Sequence, residues 1–168
     1  MAFLRIGLDR ESECNVIFAD RSRHASLLAW LQDGYSGDVE DLIKRGRLVL
    51  IGGAPTGEEL LANIATELDA VIARGSTLIR FLGFIAWGVD GWPDEASLLE
   101  FESKVNAAVM AYPAVIICTY GVPTLSGGQL IGGGLITHPV VFLNDRMLSG
   151  NPLHYDPTRK TDTDKRSA

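Results

Sequence analysis

Five apolar runs, each uninterrupted by polar alternation, constrain this chain more than any other feature. They are Asn15–Ala19, Arg47–Ile51, Thr77–Phe84, Ala114–Tyr120 and Val140–Leu143. A strand with one wet face alternates polar and apolar residues; a strand covered on both faces does not. Amphipathic stretches separate the runs. Asp20 can cap a helix carrying Leu27, Leu28 and Leu31 at helical spacing. Asp38–Arg45 is a short amphipathic piece. Thr56 and Glu59 give the T-x-x-E capping pattern before a helix with Leu60, Ile64, Leu68 and Val71 on one face, ending at Gly75. After Pro93, a further helix aligns Leu98, Phe101, Val105 and Ala108. The pattern predicts a three-layer α/β domain with a mostly parallel central sheet and helices on both faces. Ser126–Thr137 holds five glycines and reads as a frayed helix or a mobile loop.

The chain has 168 residues, enough for one domain with a full core. Its net charge is −6, so it repels a phosphate backbone, and no nucleic-acid partner is expected. No apolar run reaches the roughly 18 residues of a membrane span, and the N-terminus is charged too early for a signal peptide. Two cysteines, Cys14 and Cys118, suggest a reducing, cytoplasmic setting without a disulfide framework. The segment 156–168 is almost devoid of apolar residues and is expected to be a disordered tail or linker after a domain of residues 1–155.

Chemical motifs are sparse. No glycine cluster is followed by Lys and Ser/Thr, which a phosphate-binding loop requires, and G-x-G-x-x-G is missing. Cys14, Cys118, His24, His138 and His154 are scattered along the chain without metal-ligand spacing, so no metal site and no cofactor are expected. Cys118 reads as a buried strand cysteine, and the histidines as backbone-bonded. A Cys118–His138 nucleophile pair is conceivable, because both stand near strand ends, but no third orienting group is evident. Trp87 and Trp92 flank a Gly-Asp turn and could wall an apolar ligand or simply pack in the core. Glu102 stands one position beyond the apolar stripe of its helix, where it either meets solvent or reaches the strand ends.

Taken together, several short motifs resemble those of the MEDS family, the methanogen/methylotroph DcmR-type sensory domain, itself similar to KaiC-like members of the RecA fold. The motif residues are Gly7-Leu8 through Glu13; Gly75, Arg80, Gly83 and Trp87; Leu98, Phe101, Glu102, Val105 and Asn106; Ile117, Cys118 and Tyr120; His138 and Pro139; and Asn151, Pro152, Tyr155 and Pro157. The chain departs from the family pattern at Phe84 and Gly121, where acidic residues are usual, in its glycine-rich segment before His138, and in starting after the family's first strand–helix unit. The resemblance implies a non-enzymatic sensory domain with a degenerate RecA/KaiC-like fold. A small apolar or weakly polar molecule would bind at the C-terminal strand ends, lined by Trp87, Glu102, Cys118, Tyr120, His138 and Tyr155. Phe84 and Gly121 would make that pocket less polar and favour neutral ligands. A homodimer or a signalling partner domain is the expected macromolecular contact, across the gap left by the late start. Two other readings stay open: an interaction module that has lost its ligand, and a residual enzyme or metal protein using Cys118 and His138.

Overall fold

The computed structural model describes residues 2–121, 125–143 and 146–154. Four strands form the central sheet: β1 (Glu13–Phe18), β2 (Leu48–Ile51), β3 (Leu78–Ile85) and β4 (Ala114–Tyr120). They lie in the order β2-β1-β3-β4 and all pair in parallel. Helices α1 (Ala2–Leu8), α2 (Arg21–Asp33), α3 (Val39–Lys44), α4 (Gly57–Ala73) and α5 (Leu98–Val109) cover it. The three-layer α/β arrangement expected from the apolar runs is therefore observed.

Side-chain parity sorts the core into two layers. On one face Cys14, Val16, Phe18, Ile79, Phe81 and Ile85 pack against Leu60, Leu68 and Val71 of α4 and Leu98 and Phe101 of α5. On the other, Ile17, Leu48, Leu82 and Phe84 meet Leu4 and Leu8 of α1, Leu27 and Leu31 of α2, and Val39 and Leu42 of α3. β1 is buried at every position, as a central strand with two covered faces must be. β4 is an edge strand and has no fully buried residue.

Local signals set the helix starts. The Asp20 carboxylate accepts from the Ser22 amide at 2.9 Å, and its other oxygen takes the Trp92 indole N–H at 3.1 Å. One cap thus starts α2 and ties down the loop after β3. At α4, the Thr56 hydroxyl accepts from the Glu59 amide at 3.2 Å. Thr56→Ala should cost about 1 kcal/mol and lower Tm by roughly 2–4 °C in a thermal melt.

Two segments differ from the sequence expectation. Val140–Leu143 forms β5, but it does not join the parallel sheet; it pairs antiparallel with β6 (Arg146–Ser149) in a separate hairpin. Phe142, Leu143, Met147 and Leu148 are exposed there. A short apolar run does not reveal whether its faces are covered, and only the tertiary setting decides. The glycine-rich segment is ordered into a helical turn, α6 (Gly127–Gln129), continuing as a π-helix at Leu130–Leu135. A reciprocal Ser126–Gln129 capping box starts it.

Candidate functional site

Cys118 and Tyr120 are two positions apart near the end of β4, so their side chains share a face. That face meets α5. Glu102 follows Leu98 by four residues, which places it on the buried side of the helix beside Phe101. It is 1% exposed. Of the two sequence readings of Glu102, the structure shows the inward one. Its carboxyl oxygen Oε1 lies 2.6 Å from the Tyr120 hydroxyl, which also lies 3.1 Å from the Gly133 carbonyl. A tyrosine hydroxyl carries one proton. Both contacts are satisfied together when Glu102 is protonated and donates to Tyr120, while Tyr120 donates to Gly133.

The electrostatics agree with that arrangement. Burial pushes Glu102 up to about 7, against the lowering effect of the Tyr120 hydrogen bond. Burial raises the Cys118 thiol well above its usual range, with the Glu102 charge adding to it. Burial and then Glu102 and Cys118 raise Tyr120. His138 is lowered by burial, opposed by hydrogen bonds to the Gly133 and Gly134 backbone. Burial thus favours the uncharged form of Glu102, Cys118, Tyr120 and His138 alike. A half-buried thiol held in its protonated form is a poor nucleophile, which weighs against the Cys–His nucleophile reading.

His138 reaches the cluster from the segment before β5. Its ring stands edge-on to Tyr120, with centroids 5.7 Å apart and planes at 84°. Its Nδ1 lies 2.8 Å from the Thr137 hydroxyl, which donates to the Gly133 carbonyl. Although the candidate ligands are far apart in sequence, one ligand-capable atom from each of Glu102, Cys118 and His138 lies within 4.8 Å of the others. Glu102 is thus the third ligand-capable group beside Cys118 and His138, with its own hydrogen bond to Tyr120.

Several polar residues outside the expected lining of the site hold this arrangement in place. Asn106, one turn beyond Glu102 on α5, donates to the Thr137 carbonyl at 2.7 Å. Asn151 donates to the carbonyls of Leu135 at 2.6 Å and His138 at 2.9 Å. Gln129 donates to the Trp87 carbonyl at 3.3 Å. Gly133 lets the π-helix approach α5: a Cβ there would come within 2.5 Å of the buried Leu98 side chain. Asn106 and Asn151 were visible in the sequence as motif positions, but their acceptors were not.

Beside the cluster lies an apolar cavity of about 40 Å³ between the sheet and helices α4 and α5. Ile64 and Ala65 of α4, Phe101, Val105 and Ala108 of α5, and Phe81 and Ile116 of the sheet help line it. Glu102, Cys118 and Tyr112 are also among its walls. Two alanines, Ala65 and Ala108, leave space where longer side chains would fill it. The cavity therefore spreads over the sheet face and not only the strand ends, where a ligand was expected. Trp87 is 2% exposed and packs behind Phe101, with ring centroids 4.7 Å apart. Phe84 belongs to the opposite core layer, under the Arg23 guanidinium. Its expected effect on pocket polarity does not reach this cavity. Tyr155 lies outside the described residues.

No helix among the described residues is long and apolar enough to cross a membrane. Residues 1–139 match the family described as MEDS, the MEthanogen/methylotroph, DcmR Sensory domain. No curated protein matches the chain.

Proposed function

From the premise that this chain belongs to the MEDS family of sensory domains, we propose that it is a non-enzymatic input module that binds one small, weakly polar, uncharged molecule. The observation that carries this reading is an apolar cavity of about 40 Å³ with the buried Glu102 in its wall, hydrogen-bonded to Tyr120. That volume is well below the roughly 150 Å³ that admits benzene, so the occupant has only a few heavy atoms. A simple hydrocarbon derivative with one polar group fits: apolar walls take its body, and Glu102 or Cys118 takes its polar end. Binding would bear on His138 and the hairpin through Tyr120 and Gly133. The two cysteines are free, which suits a reducing, cytoplasmic location.

The test is thermal shift and tryptophan fluorescence across small alcohols, halocarbons and amines. A true ligand at about 100 times its Kd should add about 2.7 kcal/mol, or roughly 5–10 °C. Ala65→Leu, which fills the cavity, should remain folded and lose the response. A flat response of the intact chain across the panel would refute the proposal.

A second reading, self-association through the hairpin, is favoured by the exposure of Phe142 (66%) and Met147 (59%) on β5 and β6. Sedimentation velocity should then show dimer growing with concentration, and Phe142→Glu should return the chain to monomer. Monomer at every concentration removes this reading.

A further inference from the structure

We propose that Glu102, Cys118 and His138 form a three-residue binding site for a divalent transition-metal ion, with zinc the best match. Each residue comes from a different part of the fold: α5, β4 and the segment before β5. One ligand-capable atom of each lies within 4.8 Å of the other two. Metal bonds of about 2.0–2.3 Å in tetrahedral geometry place ligand atoms about 3.5 Å apart. The side chains need to close in by no more than about 1.3 Å.

The donor set is selective. One sulfur, one imidazole nitrogen and one carboxylate oxygen suit zinc and its neighbours, whereas magnesium and calcium demand oxygen alone. The charge also balances: a dication with one thiolate and one carboxylate is neutral overall, so a buried site need hold no unpaired charge. The surroundings match those of metal ligands as well. Such ligands are usually oriented by a hydrogen bond through their other polar atom. Here the Tyr120 hydroxyl engages Glu102 Oε1 at 2.6 Å and the Thr137 hydroxyl engages His138 Nδ1 at 2.8 Å. Glu102 and His138 each carry two ligand-capable atoms. Three protein ligands leave a fourth position open, and Glu102 and Cys118 both border the apolar cavity. A small molecule with one lone pair could occupy that position. The metal site does not depend on the small-molecule reading, which rests on the cavity.

The test uses the full chain, stripped by chelator under reducing conditions and titrated with Co²⁺ alone. The expected result is one ion per chain, a thiolate-to-cobalt charge-transfer band in the near ultraviolet, and its displacement by Zn²⁺. Cys118→Ala should abolish the band. Cys14→Ala should keep it, because Cys14 is at the opposite end of the sheet, at the start of β1. No band with the intact chain overturns the proposal, as does a band that survives Cys118→Ala or vanishes in Cys14→Ala. If circular dichroism shows Cys118→Ala to be unfolded, Glu102→Gln and His138→Gln decide. Affinity weakened more than about 100-fold supports the site, and unchanged affinity refutes it.

Discussion

Phe101→Ala should destabilise the chain by about 3–5 kcal/mol, a fall in Tm on the order of 10 °C. Phe101 is 4% exposed and does three jobs at once. It fills the layer between α5 and the sheet, backs onto the Trp87 ring, and walls the cavity. Truncation removes apolar contacts and merges the vacated volume with space already open. The surroundings cannot collapse easily, because Trp87 is also wedged against Trp92, with centroids 5.4 Å apart. The enlarged cavity should now take a ligand the size of benzene, and part of the lost Tm should return in its presence. Chemical denaturation gives the first quantity, and thermal shift with and without benzene gives the second. A loss below 1 kcal/mol would mean that the layer is far more loosely packed than described.

The second large effect is a pH dependence set by Glu102. Its carboxyl is held at about 7 in the fold and near 4.5 once unfolded. Between those values the unfolded chain has released a proton that the folded chain keeps. Stability from this group is therefore full below about pH 4.5, declines as pH rises through 7, and is flat above. The whole change is on the order of 3 kcal/mol. Glu13 acts in the opposite sense. The Arg80 hydrogen bond holds it below the usual range despite burial, so its contribution is present above its unfolded value and lost in acid. Glu102→Gln isolates the first effect. In chelator, the variant should be more stable than the parent at pH 8 and close to it at pH 4. Parallel pH profiles for the two would show that Glu102 is not held protonated.

Much of the fold could be read from residue patterns because burial on two faces leaves a plain signature. The runs at β1 to β4 were visible as uninterrupted apolar stretches, and Asp20 and Thr56 announced the helices they cap. Cys118 and Tyr120 sharing a face also follows from a period of two. Glu102 was half legible: counted from Phe101 it looks displaced, but counted from Leu98 it is one turn on. His138 entered the site through the family resemblance and its place near a strand end, and spacing alone gave no reason for it to meet Tyr120. Seventeen intervening positions separate it from Tyr120, and its approach depends on Gly133 accepting close contact with Leu98, a fact of packing and not of spacing. Helix α1 was missed for a similar reason. It is only 7 residues long and is held by tertiary contacts, among them Arg5 stacked 4.4 Å over the Trp30 ring. The hairpin was misread because the same four apolar letters serve a covered strand and a bare one.

The bonds that fasten the segment before β5 have one property in common. Asn106 and Asn151 grip it by main-chain carbonyls at Leu135, Thr137 and His138. A carbonyl is the same whichever side chain the residue bears. The location of the adjoining hairpin is thus written in two asparagines, while its outward character is written in its own residues. Selection can rewrite Phe142, Leu143, Met147 and Leu148 to suit a new neighbour without disturbing where the hairpin stands, so address and message evolve separately.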